Sequence, residues 1–116
     1  PAALDLFKDG SVFVLDTPGH LPGHINLLCR TKDRWLCLCG DSFHDKRLLT
    51  GEKEIGTWTG PQGNALCIHL DKESAAESIK RLQELQMTAG DQVELIAAHD
   101  EIWWEENKEK QFPLLL

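Results

Sequence analysis

His24, Asp41 and His99 stand at positions where apolar, strand-like runs begin or end. His24 immediately precedes the run Ile25–Arg30, Asp41 follows the run Arg34–Cys39 through Gly40, and His99 follows Val93–Ala98. A neutral imidazole nitrogen and a carboxylate oxygen are suitable ligands for Zn²⁺. A carboxylate can also bridge two metals closely enough for them to share and acidify one water. Against this, a single His or Asp at a strand end is most often a cap, a turn residue or a solvated group, and the three spacings match no compact metal motif. Residue types alone leave both readings open.

The elements around these residues decide whether they can meet. Ser11–Asp16 (SVFVLD) is a β-branched and aromatic run that reads as a buried strand. Thr17–Gly23 (TPGHLPG) must be irregular, because two X-Pro steps and two glycines break any regular element. Ile25–Arg30 and Arg34–Cys39 read as two strands joined by a hairpin turn at Thr31-Lys32-Asp33. If Thr31 faces Arg34, stepping outward places His24 opposite Asp41, and directly opposed antiparallel residues lie about 4.5–5.5 Å apart. Gly51–Gly63 reads as a surface loop. Asp71–Met87 is a helix with Asp71 as N-cap, Glu73 at the positive end, Ala75, Ile79, Leu82 and Leu85 on one face, and Gly90 as its stop. Val93–Ala98 is a further strand. Glu101–Lys110 is a short charged helix that Pro113 prevents from continuing. The order gives an α/β pattern: an antiparallel section, then a crossover helix on one sheet face.

Composition sets the outer limits. A chain of 116 residues fits one small domain or part of a larger one. A net charge of −7 with no basic stretch argues against nucleic-acid and anionic-membrane partners. The apolar runs are far shorter than the roughly 20 residues of a membrane helix. Pro1 is not a natural start, which suggests a segment upstream. The four cysteines show no C-x-x-C spacing and read as buried reduced thiols, which points to a reducing, cytoplasmic compartment.

The stretch Asp16-Thr17-Pro18-Gly19-His20-Leu21-Pro22-Gly23-His24 resembles the T-P-G-H-T-x-G-H signature of metallo-β-lactamase-fold hydrolases. Within them it is most similar to the lactonase-like branch, in a fungal form. Gly40–His44 (GDSFH) resembles the superfamily's G-D motif, and Ala98-His99-Asp100 resembles its final metal-binding histidine. The resemblance implies that His24 binds a first metal, Asp41 bridges two and His99 binds the second. It implies that His20 shapes the loop and lines the substrate pocket without being a ligand. His44 falls where lactonases of this fold place a tyrosine, so a histidine there would hydrogen-bond the substrate or act as a general acid. The implied activity is hydrolysis of an ester, lactone or thioester by metal-bound hydroxide, with two zinc ions or, in their place, Mn, Fe or Co. Thioesterase and glyoxalase-like hydrolases would reuse the same ligands.

The superfamily's H-x-H-x-D-H motif is not in these residues. The expected fold is therefore the C-terminal half of an αββα sandwich, a mixed sheet with flanking helices, spanning residues 1–116. The N-terminal half would lie upstream or in another chain. A half-fold exposes an apolar sheet face, so a complementary half or an oligomer is the expected partner, and the chain alone is expected to be inactive. A non-catalytic binding or assembly module is the competing function. Among the remaining residues, Trp58 in the Gly-rich loop reads as a specificity residue that contacts substrate. Trp103 and Trp104 read as one packed and one partly exposed ring, the Glu101–Glu109 stretch as a solvated helix face, and His69 with Cys67 as part of the core.

Overall fold

The structure, a computed structural model, describes residues 2–110. In chain order it contains β1 (Ala3–Asp5), β2 (Val12–Asp16), β3 (Ile25–Arg30), β4 (Trp35–Gly40), α1 (Arg47–Thr50), β5 (Trp58–Thr59), β6 (Ala65–Leu66), α2 (Lys72–Ala89), β7 (Val93–Ala97) and α3 (Glu101–Asn107). Five strands form one sheet in the order β1-β2-β3-β4-β7, antiparallel through β4 and then parallel between β4 and β7. The parallel step is the crossover through α2 that the strand–helix–strand order anticipates.

The turn between β3 and β4 is closed by the Thr31 N–H donating to the Arg34 carbonyl at 2.7 Å. The register that follows pairs Arg30 with Trp35 and Leu27 with Leu38. This is the pairing that carries His24 to Asp41.

Alternation then separates two sheet faces. On one, Leu15, Cys37, Cys39, Val93, Leu95 and Ala97 are buried against Ile79 and Leu82 of α2 and against Phe43, Leu48 and Leu49. Full burial of each such Leu or Ile contributes about 1.5–3 kcal/mol. On the other face, Ile25 is 50% and Leu38 43% exposed, and Val12, Val14, Leu27, Cys29, Leu36 and Ile96 are only half buried. An apolar sheet face left this open is the feature expected of a half-sandwich.

α2 begins as anticipated: the Asp71 carboxylate accepts from the Ser74 N–H at 3.1 Å, and the helix stops at Gly90. Three elements depart from the sequence reading. The segment Gly51–Gly63 is not all loop, because Trp58 and Thr59, both strand-prone, pair with Ala65–Leu66 across a turn closed by the Gly60 N–H on the Asn64 carbonyl. β1 is an edge strand whose reversal into β2 is held by the Gly10 N–H donating to the Asp5 carboxylate. α1 is too short for periodicity to reveal, and is fixed because Leu48 and Leu49 are buried. The charged C-terminal helix has the expected place, with a 3₁₀ turn over Lys108–Lys110, while Pro113 lies outside the described residues. All four thiols are free, Cys37 and Cys39 fully buried and Cys29 and Cys67 half buried. No helix is long and apolar enough to cross a membrane.

Candidate metal centre

The ends of β3, β4 and β7 converge on Asp41. Continuing the β3–β4 register three pairs beyond Leu27–Leu38 sets His24 beside Asp41, and the Asp41 N–H donates to His24 Nε2 at 3.1 Å. His24 Nδ1 lies 3.2 Å from the Thr17 carbonyl oxygen. These two contacts fix the tautomer: Nε2 accepts, so the proton is on Nδ1 and points at Thr17. A metal-binding imidazole takes the same tautomer, its far nitrogen donating to a carbonyl; here the Nε2 lone pair is taken by the Asp41 N–H, a contact that a bound metal would displace. Gly40 makes the close approach possible. Its φ is +52°, and a Cβ there would sit 3.1 Å from His24 Nε2.

β7 brings His99. The Ala98 N–H donates to the Gly40 carbonyl at 2.8 Å, extending the parallel pairing to the end of both strands. His99 Nε2 then lies 3.3 Å from Asp41 Oδ1. Asp100 anchors this corner: it caps α3 through the Trp103 N–H at 2.9 Å and lies 3.3 Å from Lys46 Nζ, beyond β4. The Asp41 side chain is 40% and that of His99 75% exposed, so both present their donor atoms outward.

The three sequence candidates therefore meet, and the donor set is chemically right for a divalent metal. It is also incomplete. Among the described residues no group of three or more His, Cys, Asp and Glu side chains is arranged to hold an ion by itself.

Two further histidines join the cluster. His20 Nε2 lies 3.8 Å from Asp41 Oδ2, and its Nδ1 lies 3.2 Å from Nδ1 of His69. His69, read from the sequence as a core residue, is indeed 5% exposed, but its ring faces the site. Its pKa is lowered by burial first and then by His20, His44 and His24, against an opposing pull from Asp41. His44, between β4 and α1, packs at 6.4 Å between ring centroids from His69, and its Nδ1 is buried without a partner. His44 and His99 share the wall of an open cavity of about 590 Å³ with Lys46 and Ile102. A second groove, of about 440 Å³, runs along His20, Leu21, Leu66, Ile68 and His69. Trp58 is 54% exposed, and it is the neighbouring Thr57 that lines this groove.

One residue beneath the site was missed in the sequence. Asn26, on β3, is fully buried. With its amide nitrogen turned toward the surrounding oxygens, its two N–H groups are shared among Thr17 Oγ1 at 3.1 Å, Ser42 Oγ at 2.8 Å and the Cys39 carbonyl at 2.9 Å. It thereby joins the loop before His24 to the residues on both sides of Asp41. The only sequence signal was a polar residue on the core face of an apolar strand.

No protein-family model matches the chain. It is 28% identical to the metallo-hydrolase mfmC of Annulohypoxylon moriforme, the match covering 84% of this chain and 33% of that protein. It is 31% identical to a protein of Penicillium roqueforti named cytochrome P450 monooxygenase mpaDE, of which only 13% is covered, so that name carries no activity to this chain. In structure it superposes on an N-acyl homoserine lactone hydrolase with N-hexanoyl-L-homoserine bound at its catalytic metal centre. There the TM-score is 0.67 at 26% identity, over 97% of this chain and 38% of the other. A quorum-quenching N-acyl homoserine lactone lactonase matches at TM-score 0.56 and 27% identity, over 78% of this chain and 34% of the other. The chain thus spans about a third of the length of these hydrolases. Its mixed sheet, its flanking helices and the His24–Asp41–His99 convergence lead to one assignment: the chain has the metallo-β-lactamase fold and is similar to the lactonase-like hydrolases of that superfamily.

Proposed function

We propose that this chain supplies half of a dinuclear metal site in a hydrolase that opens lactone or other ester bonds. The observation that carries this reading is the meeting of His24, Asp41 and His99 at one sheet edge, with His24 held in the ligating tautomer. His24 would hold the first metal, Asp41 would bridge, and His99 would hold the second. Zinc suits the donor set best, and Mn, Fe or Co would be accepted by the same atoms. When bound, such metals supply a nucleophile at neutral pH and polarise the substrate carbonyl.

The remaining ligands would come from the complementary half, docked on the open sheet face that exposes Ile25 and Leu38. His44 sits in the wall of the cavity next to His99, where its ring can donate to a carbonyl oxygen or to the departing alkoxide. His20, on the neighbouring groove, would line the substrate site. Trp58, exposed on the β5–β6 hairpin, would touch substrate only from its rim.

The test is hydrolysis of N-acyl homoserine lactones, simple lactones and thioesters by the natural full-length protein with added zinc, manganese or cobalt, beside this chain alone. The reading expects turnover of a lactone by the full-length protein, loss of it in Asp41→Ala, and none from the chain alone. A metal-loaded full-length protein inert toward the whole panel would favour an assembly module.

A further inference from the structure

His69 is buried like a core histidine, but its two ring nitrogens are placed as a purely packing role does not require. It is 5% exposed, its Nδ1 is directed at His20 Nδ1 at 3.2 Å, and its Nε2 is buried with no partner. His20 in turn sets its Nε2 3.8 Å from Asp41 Oδ2. The three side chains form a line running inward from the bridging carboxylate.

Proton placement along this line follows from its two ends. One of the facing Nδ1 atoms must donate and the other accept. If His69 accepted, its own proton would sit on Nε2 as a buried donor with no acceptor, the costlier kind of unsatisfied group. His20 would then also turn a lone pair toward the Asp41 carboxylate. The opposite arrangement turns a proton toward Asp41 and leaves His69 Nε2 as an unpaired acceptor, the less costly kind of unsatisfied group. His69 Nδ1–H donates to His20, and the His20 proton lies on Nε2, facing Asp41. The direction is therefore His69 to His20 to Asp41.

The backbone holds this line as well. The Leu70 N–H donates to the His20 carbonyl at 3.0 Å and the Asp71 N–H to the Gly19 carbonyl at 2.8 Å. Ser78 Oγ, two turns into α2, donates to the Pro18 carbonyl at 2.7 Å. The start of α2 is thus fastened to the Pro18–His20 loop, and His69 arrives at His20 on a backbone that cannot drift from it.

We infer that His69 is a positioning residue: through His20 it holds the Asp41 carboxylate in the orientation that receives metal. This rests on the ligand assignment proposed above. His20 Nε2 and Asp41 Oδ2 stand 3.8 Å apart, an electrostatic contact longer than a hydrogen bond; removing groups that orient a ligand typically weakens metal binding about 10–100-fold.

The test is zinc affinity of the natural full-length protein by competition with a chromophoric chelator, in wild type, His69→Phe, His69→Asn, His20→Phe and His24→Ala, with thermal midpoints measured alongside. The asparagine amide can replace the Nδ1 donor, and phenylalanine cannot. The inference expects His69→Phe and His20→Phe to bind zinc about 10–100-fold more weakly. His69→Asn should recover to within a few-fold of wild type. The thermal midpoint of the metal-free protein should not fall in His69→Phe, because the apolar ring removes an unpaired buried nitrogen. A purely structural His69 gives the reverse order, with phenylalanine tolerated and asparagine harmful. Wild-type zinc affinity in His69→Phe and His20→Phe, with binding lost in His24→Ala, overturns this inference and leaves the ligand assignment standing. Wild-type affinity in His24→Ala removes the assignment and this inference with it.

Discussion

The two flanks of the Asp41 carboxylate are built by different means. On one, His24 and His99 are placed by strand register: a hairpin turn seven residues away and a parallel pairing between β4 and β7. On the other, His20 and His69 are placed by docking, with an irregular loop pinned to the start of a helix about fifty residues later. A flank set by register tolerates change wherever the ladder survives. One set by docking depends on a few close contacts, and should fail when any of them is blocked.

Gly19 is where the docked flank is most vulnerable. Its φ is +135°, and a Cβ there would lie 2.2 Å from the Ala75 backbone nitrogen in α2. Gly19→Val should destabilise the protein by about 3 kcal/mol or more, from strain and overpacking together. Urea denaturation measures this; hydrogen exchange should show early loss of protection in α2 while β3 and β4 stay protected. Equal loss in both regions would mean that the flanks are not separable.

Asn26 lies beneath both flanks, so its replacement should damage them together. Asn26→Leu leaves Ser42 Oγ without a partner and removes one of the partners of Thr17 Oγ1 and of the Cys39 carbonyl, and should cost about 2 kcal/mol. The same denaturation experiment reads it.

A pH profile isolates the docked flank without disturbing its packing. The folded pKa of His69 lies below the ordinary value of about 6.5, so the unfolded chain takes up a proton that the folded one refuses. Its contribution to stability is intact above about pH 6.5 and is lost as pH falls below that value. The urea midpoint of the metal-free protein should therefore drop on acidification below pH 6.5, and drop less steeply in His69→Phe. Identical slopes would remove His69 as the titrating group.

Leu38 provides the smallest effect and the control. It lies on the open sheet face and is 43% exposed. Leu38→Lys should change the stability of this chain alone by less than about 0.5 kcal/mol. In the full-length protein the same lysine would be buried if a complementary half covers that face, and the cost should rise to several-fold more.

The contrast between flanks also explains what could be read from the sequence. The His24–Asp41 pairing was visible because one short polar turn sets a period-two ladder, and counting outward from Thr31 reaches both residues. The helix Asp71–Met87 was visible from its N-cap and its apolar stripe. His69 was not, because nothing local announces that the residue two places before a helix cap will face a loop fifty residues earlier. Asn26 was hidden for a related reason: a polar residue in an apolar strand acquires meaning only when its neighbours across the ladder are known. The small pair β5–β6 and the four-residue α1 fall below the length at which periodicity gives a signal.

The central claim is that His24, Asp41 and His99 hold metal. The most direct measurement is elemental analysis of the natural full-length protein purified without chelator, beside His24→Ala, Asp41→Ala and His99→Ala. The account predicts near-stoichiometric zinc or another transition metal in the parent and a clear loss in each variant, largest for Asp41, to which the proposal gives both metals. A metal content that all three variants leave unchanged would contradict it.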